Sequence, residues 1–428
     1  MRQTRPFRPT LESLEDRAVP ATVVVSGGNL EVSGQVGTLV VETTAIAGLL
    51  RVTDDTGTVR ASGVTGRVRI TGDGLGNVIR IAANAGSKLA LPGVLVVNAG
   101  NGNDQVFLSG KVNGNVRINT GLGNDLVTSD DAAVRVGGSL SLFDEAGANT
   151  FSMNGVNYKI ARDATFTGLG TFQTGAGNTL SVGGTLTMTA NTVTPLDITL
   201  GGASAVVGGD LVVSGGEAGD VLRVTTNFRL GGDLAFDAGN GSNTAFLNPT
   251  AGGIVGDFLF TGGSGADAVV FWTNSQIGGD TSIDFGSGIN DFTDTATSQF
   301  NGDLSVTGGT ELAVAENTTR IAVRGQIGGS LSVTLAGGHG NTTVLIGSVG
   351  QQVVYRGGLN STFEALTLLP TAAAVIDIDA QFGEGSSTFT IGSTVSLTGV
   401  VTGMDNGTYS FFVWDAILLP SLQLINYP

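Results

Sequence analysis

Glycine-rich turns that carry an acidic residue at a fixed place are the part of this sequence best suited to chemistry. The clearest copy, residues 262–270, reads Gly-Gly-Ser-Gly-Ala-Asp-Ala-Val-Val, and similar turns recur along the chain. Carboxylates and turn carbonyls are the hard oxygen ligands that calcium prefers, in sets of about six to eight. Calcium is therefore the one metal cofactor to consider, and its candidate ligands are Asp104, Asp125, Asp220 and Asp267.

These turns resemble the nonapeptide Gly-Gly-x-Gly-x-Asp-x-apolar-x of the RTX calcium-binding β-rolls. In that family the nonapeptides follow one another in tandem, so that neighbouring turns face each other across a thin roll. Here further apolar segments separate one turn from the next, and the Asp slot is not kept. The residues that we assign to this slot are Asp104, Asp125, Asn149, Thr179, Asp220, Asn243, Asp267, Asn290 and Thr342.

Two interpretations of this slot stay open. Polar side chains in one column can bond the turn backbones above and below them, which forms a ladder that needs no metal. Alternatively, calcium binds weakly at one or two sites; two carboxylates fall in consecutive repeats only at Asp104 and Asp125. The mixed composition of the slot favours the ladder, so we predict that no cofactor is required.

Arginine and aspartate residues near the start of the repeats form a second candidate site. Polysaccharide lyases and glycoside hydrolases need clustered carboxylates, usually with a cation, on one outer face. Trp272 and Trp414 are isolated in the sequence, so no aromatic platform for a sugar is predicted. Solvent-facing residues that balance acidic turns would give the same pattern, which makes a non-catalytic protein the favoured interpretation. The catalytic candidates are Arg67, Arg69, Asp73 and Arg117.

A repeat carries all of these residues. The phrase apolar-x-Gly-polar-apolar-x-apolar recurs, and its glycines at 209, 232, 256, 279 and 302 are 23 or 24 residues apart. Short apolar strands and glycine turns at such a period are typical of a solenoid. We predict an all-β fold, a single-stranded parallel β-helix with about 24 residues per coil. The coil is expected to be right-handed because parallel crossovers are right-handed.

One coil can be assigned residue by residue between Gly209 and Gly231. Its apolar stretches 211–213, 221–224 and 228–230 alternate inward and outward side chains, as strands do. Polar turns separate these stretches, so the coil has three strands and a triangular cross-section. The glycine pairs are expected to supply a positive φ at corners where a Cβ would clash.

Composition limits the classes of function. The formal net charge is −16, and only three residues are lysine. Such a surface repels nucleic acid and has no basic stripe to neutralise phosphates. Since cysteine is absent, disulfides, thiol catalysis and thiolate metal sites are excluded. No segment reaches the roughly 18–20 apolar residues of a transmembrane span.

The N-terminus contains a sorting-like segment. Residues 11–21, LESLEDRAVPA, follow an arginine-rich start and directly precede the β-rich region. This arrangement resembles the N-terminal motif of large exported or surface repeat proteins of planctomycete-type bacteria. The resemblance implies export or surface sorting, and it does not imply any particular activity. We divide the chain into a sorting-like tail (1–20), an N-terminal cap (21–60), solenoid repeats (61–360) and a C-terminal β cap or small β unit (361–428).

Three functions are compatible with these observations. The first is a non-catalytic extracellular structural or adhesive β-solenoid at the cell surface, with cell-surface components, other surface proteins or polysaccharide as partners. The second is a carbohydrate-active enzyme on a β-helix, and the third is a calcium-stabilised RTX-like module. The repeat, the acidic surface and the sorting-like segment favour the first.

Overall fold

The structure is a computed structural model that describes most of the chain between residues 20 and 425. Every regular element in this part of the chain is a β-strand. No helix that is long and apolar enough to cross a membrane occurs there. The sorting-like segment before residue 20 lies outside the described residues. The described residues are 20–35, 37–83, 90–129, 133–153, 157–191, 194–250, 252–295, 297–309, 318–337, 340–358, 362–370, 374–383, 385–403, 408–413 and 417–425.

The first strands form antiparallel pairs, which sets them apart from everything that follows. They are β1 (Thr22–Ser26), β2 (Asn29–Gln35), β3 (Thr38–Thr43), β4 (Leu49–Asp54) and β5 (Gly57–Ser62). β1 pairs with β2, β3 with β4, and β4 with β5, each in the antiparallel sense. These pairs lie in the segment that the sequence assigns to an N-terminal cap.

The strands of the central region are short and follow one another closely. In chain order they are β6 (Val68–Gly72), β7 (Val78–Ala83), β8 (Leu95–Asn98), β9 (Gln105–Leu108), β10 (Gly110–Val112), β11 (Val116–Leu122), β12 (Leu126–Thr128), β13 (Val134–Val136), β14 (Leu140–Ala146), β15 (Thr150–Met153), β16 (Asn157–Ile160), β17 (Ala164–Leu169), β18 (Thr171–Thr174), β19 (Thr179–Val182), β20 (Leu186–Ala190), β21 (Asp197–Leu200), β22 (Ser204–Val207), β23 (Leu211–Gly216), β24 (Val221–Val224), β25 (Phe228–Leu230), β26 (Leu234–Gly239), β27 (Thr244–Leu247), β28 (Phe258–Gly262), β29 (Ala268–Phe271), β30 (Gln276–Ile277), β31 (Thr281–Asp284), β32 (Ile289–Asp294), β33 (Gln299–Phe300), β34 (Leu304–Gly308), β35 (Thr318–Val323), β36 (Gln326–Ile327), β37 (Leu331–Leu335), β38 (Asn341–Leu345), β39 (Ser348–Val349) and β40 (Gln352–Arg356).

These strands stack in parallel into three sheets, which confirms the predicted β-solenoid. Equivalent strands of successive coils lie roughly 23 residues apart. The first sheet runs from β2 and β6 to β40, and the second from β3 and β7 to β38. The third has a six-stranded part (β10, β13, β16, β19, β22 and β25) and a four-stranded part (β30, β33, β36 and β39), which isolated bridges through Ile254 connect. Each coil passes from the first sheet to the second and then to the third, so the rod has three corners.

Within the described residues, the C-terminal strands extend the first and second sheets only. They are β41 (Phe363–Leu368), β42 (Ala374–Gln381), β43 (Ser386–Ile391), β44 (Val395–Thr402), β45 (Thr408–Val413) and β46 (Ile417–Ile425). β42, β44 and β46 extend the first sheet, and β41, β43 and β45 extend the second. Residues 361–428, which the sequence assigns to a cap or small β unit, thus contain further parallel strands of the same two sheets.

The core is one continuous apolar column inside the coils. In the coil that the sequence resolves best, Leu222, Val224 and Phe228 are at most 2% exposed, as predicted. Aromatic rings contact one another along the column: the ring centres of Phe236 and Phe260 are 5.6 Å apart. Every second side chain of each strand thus points inward, and the strands of the three sheets fill the interior from three sides.

At the corner between the third and first sheets, the predicted positive φ is not the reason why glycine is required. Gly208 and Gly231 do not have a positive φ. A Cβ on Gly231 would instead lie 2.3 Å from the carbonyl oxygen of Gly208 in the preceding coil. These glycines are required because adjacent coils approach too closely for any side chain.

Candidate functional site

The glycine-rich turns between the first and second sheets place polar side chains inside the rod. The parallel register aligns them in a single column, which we call the inner ladder. All of its members are at most 4% exposed. The inner ladder consists of Asn77, Asp104, Asp125, Asn149, Asp220, Asn243, Asp267, Asn290, Thr319, Asn341, Glu364 and Ser387.

Two residues predicted for this column lie elsewhere. Thr179 begins a strand of the third sheet, and the column passes instead through Gly170 and Leu196. Thr342 is one residue beyond the position that Asn341 fills. The turn before Thr179 is also rich in glycine, but it joins the second sheet to the third, so local composition pointed to the wrong corner.

Most neighbours in the inner ladder are joined by a hydrogen bond from a backbone N–H to a side-chain oxygen of the next coil. The N–H of Asp104 donates to Oδ1 of Asp125 at 2.7 Å, and that of Asp220 to Oδ1 of Asn243 at 2.8 Å. The N–H of Asn243 donates to Oδ1 of Asp267 at 3.0 Å, and its Nδ2 reaches the same oxygen at 2.9 Å. The polar ladder considered from the sequence is therefore present in the structure.

The four candidate calcium ligands belong to this column, but they do not form one coordination shell. Asp104 and Asp125 are neighbours, as predicted, whereas Asn243 separates Asp220 from Asp267. Oδ1 of each aspartate already accepts a backbone N–H. No group of three or more His, Cys, Asp or Glu side chains within the described ranges is placed to hold a metal ion. Each interface thus offers at most two carboxylates, short of the six to eight oxygens of a calcium site.

Burial changes the acid–base behaviour of these aspartates. Desolvation raises the pKa of Asp104 to about 6, and repulsion from Asp125 adds to the effect. Desolvation also raises the pKa of Asp267 to about 6, and it raises the pKa of Asp125 and Asp220. Donated backbone N–H groups oppose the shift, but the cost of burying the charge is larger. Protonation therefore begins at a higher pH here than at an exposed aspartate.

Asp144 lies beside Asp125 at a small cavity of about 20 Å³. Thr120 Oγ1 donates to Oδ2 of Asp144 at 2.5 Å. Burial, together with repulsion from Asp125, raises the pKa of Asp144 to about 7. Oδ2 of Asp125 and Oδ1 of Asp144 have no hydrogen-bond partner as charged carboxylates. A proton held between the two carboxyl groups would give both oxygens a partner.

A second column of aspartates stands outside the rod, at the corner between the third and first sheets. The N–H of Asp233 donates to Oδ1 of Asp210 at 3.0 Å, and the next three steps repeat this bond at 2.8 Å. These residues fill the polar position of the repeated glycine phrase, but they are not among the site residues predicted from the sequence. All are exposed, and we call the column the outer ladder: Asp210, Asp233, Asp257, Asp280 and Asp303.

The predicted catalytic residues do not converge on a site. Arg69 and Arg117 lie in one outward column of the first sheet, two coils apart with a valine between them. The guanidinium of Arg117 lies 4.8 Å from the centre of the Phe143 ring. Arg67 is exposed beside β6, and Asp73 accepts the N–H of Leu75 within its own turn. The column that carries Arg69 and Arg117 continues to Glu31 on one side and to Ser141 on the other, so it holds one carboxylate and not the pair that glycoside hydrolysis uses.

The remaining corner, between the second and third sheets, carries a groove. One part has a volume of about 350 Å³ and is lined by Arg223, Val224, Thr225, Thr226, Phe246, Asn248 and Trp272. A second part, of about 440 Å³, is lined by Asn274, Thr297, Gln299, Arg324, Gly325, Gln326, Gly347, Ser348, Pro370 and Ala374. Trp272 is 50% exposed. The sequence indicates that Trp272 is isolated. In the structure it is not, because coil stacking brings distant residues beside it. Trp414 lies outside the described residues.

Comparison with protein-family models, with curated proteins and with solved structures finds no match to this chain.

Proposed function

We propose that this chain is a non-catalytic structural or adhesive β-solenoid that works outside the cell, at the cell surface. The inner ladder is the observation that carries the proposal. Its carboxylates and amides are buried and bonded to the backbone of adjacent coils, so they serve the integrity of the rod. In a solenoid of this kind, stability is the sum of the coils and their interfaces, and function follows from the surface and the length.

Two further observations support a role at the surface. The net charge of −16 favours solubility and disfavours binding to nucleic acid. The segment 11–21 resembles a sorting motif of exported repeat proteins, and the lack of cysteine allows export without oxidative folding. Neither observation requires a catalytic centre.

The location of the protein can be tested on intact cells that produce it. Antibodies against the folded solenoid are expected to label intact cells, and external protease is expected to remove the label. A variant that lacks residues 1–20 is the control, and it should stay inside the cell with an unchanged β spectrum by circular dichroism. A full-length chain that is found only in the cytosolic fraction would overturn the proposal.

A further inference from the structure

The groove at the corner between the second and third sheets runs along the rod. Its first part ends at Trp272, and its second part begins at Asn274, two residues later in the same turn. Oγ of Ser275 donates to the carbonyl oxygen of Trp272 at 2.8 Å, which fixes the turn where the two parts meet. The two parts thus follow successive coils, each advancing by about 4.8 Å.

The first part of the groove combines aromatic faces with polar groups. The half-exposed Trp272 indole stands near Phe246, and the guanidinium of Arg223 lies 5.9 Å from the centre of the Phe246 ring. Asn248 and Arg223 line the same space and carry polar groups. A flat apolar face beside polar side chains suits a ligand with an apolar face and hydroxyl groups.

The second part offers polar side chains at a regular spacing. Gln276, Gln299 and Gln326 occupy one outward column, one per coil, and all three are exposed. The side chains of Gln299 and Gln326 form no hydrogen bond with the described protein, so their amides are available to a ligand. Thr297 has a φ of 54°, which is strained for a β-branched residue, and such strain concentrates at functional positions.

Other ligand classes fit this groove less well. Apart from β39, the last strand of the third sheet, the strands beside the groove pair with a strand above and a strand below, so most of its length has no free backbone edge for a peptide strand. Nucleic acid would be repelled by the acidic chain. The amide-lined second part would leave the acyl chains of a lipid in a polar environment.

We propose that this groove binds a saccharide chain that lies along the rod axis, with one sugar ring stacked on Trp272. The proposal rests on the proposed surface function, since a rod at the cell surface meets polysaccharide. Rings that follow the stacked one would extend over the glutamine column, because the coil spacing is close to the spacing of sugar rings in an extended chain. Aromatic stacking supplies affinity, and the amides and Arg324 supply orientation.

Binding can be tested with the full chain and defined oligosaccharides. The probes are cello-, xylo-, manno-, chito- and polygalacturonate oligomers of increasing length on an array, followed by titration calorimetry with the oligomer that binds. We expect affinity to rise with oligomer length. Trp272→Ala should weaken binding by about tenfold or more, whereas Trp272→Phe should keep most of it.

Two controls separate the groove from general effects. Leu259→Ala changes an exposed apolar side chain on the first sheet and should leave binding unchanged. The double variant Gln299→Ala/Gln326→Ala should weaken only the longer oligomers. No binding to any oligomer, or equal binding by wild type and Trp272→Ala, would overturn the inference. Surface labelling of cells is measured separately, so either failure leaves the proposed location untouched.

Discussion

The inner and outer ladders use the same chemistry in two environments. In both, an aspartate Oδ1 accepts a backbone N–H from an adjacent coil at about 3 Å. The inner acceptors reach back to the preceding coil, and the outer acceptors reach forward to the next one. The inner ladder is buried and alternates Asp with Asn between Asp220 and Asn290, whereas the outer ladder is exposed and consists of Asp in five consecutive coils.

The difference shows what burial requires of a polar column. Like charges that are one coil apart can be tolerated in water, where the dielectric constant is high and salt screens them. Inside the rod, each additional carboxylate carries a desolvation cost, so neutral Asn separates the charged positions or protonation removes the charge. The same hydrogen bond is therefore expected to contribute much more to the stability of the fold in the inner ladder than in the outer ladder.

Removal of one inner rung should have the largest effect. Asn243→Ala leaves the buried N–H of Asp220 without a partner and removes the bond from Nδ2 to Oδ1 of Asp267. The expected loss is about 3–5 kcal/mol of stability. Thermal unfolding followed by circular dichroism measures it, with Asp233→Ala in the outer ladder as the matched control at about 1 kcal/mol or less. Equal losses in the two variants would contradict the proposed difference.

The pH dependence of stability should come from the inner ladder and from Asp144 beside it. The pKa values of Asp104 and Asp267 are raised to about 6 and that of Asp144 to about 7, above the ordinary 3.8. The folded chain therefore binds protons more tightly than the unfolded chain. The resulting contribution to the stability of the folded chain is fully present below about pH 4. It is lost as the pH rises through 6 to 7 and amounts to about 1–3 kcal/mol per group.

The temperature of the unfolding midpoint should accordingly decrease as the pH is raised from 5 to 8. Asp104→Asn removes one of the charges and is expected to flatten this profile, because Asn occupies equivalent positions in the column. Asp257→Asn, in the outer ladder, serves as the control and should leave the slope as it is. A midpoint that rises over the same interval would show that the inner carboxyls are ionised without cost.

A smaller effect is expected from relief of repulsion in the outer ladder. Asp233→Asn keeps the acceptor oxygen for Asp257 and removes a charge between two like charges. At low salt we expect a gain of a few tenths of a kcal/mol, which disappears at about 1 M salt. Urea unfolding at the two salt concentrations measures it; a gain that persists at high salt would point to a cause other than charge.

Chelation is expected to have the smallest effect. The inner Oδ1 atoms are occupied by N–H donors, so the folded β spectrum and the unfolding midpoint should persist after exhaustive removal of divalent cations. Circular dichroism with and without added calcium tests this. If the chain folds only when calcium returns, the RTX-like interpretation replaces the ladder.

The sequence was sufficient for the fold because glycine spacing and period-2 apolar stretches repeat in almost every coil. Positions such as Leu222 and Phe228 could be assigned inward from alternation alone. The inner ladder was partly predictable for the same reason. The prediction of the column was wrong at Gly170 and Leu196. There the turn between the first and second sheets has no polar residue at the ladder position, and another glycine-rich turn follows nearby.

The groove could not be predicted from local patterns. Arg223, Phe246 and Trp272 are 23 and 26 residues apart in sequence, and they meet only because coils of unequal length keep parallel register. The C-terminal strands were unpredictable for a related reason. The glycine phrase disappears there, and no described strand after β39 belongs to the third sheet, although the other two sheets continue through β45 and β46.

The interruption of the inner ladder has a mechanical consequence. When a rod is pulled along its axis, all bonds of one coil interface share the load, so the interface with the fewest bonds yields first. Between Asn149 and Leu196 the column passes through Gly170, which has no side chain to bond a neighbouring coil. Under tension the rod is expected to open near this point, which separates the rungs from Asn77 to Asn149 from those between Leu196 and Asn290.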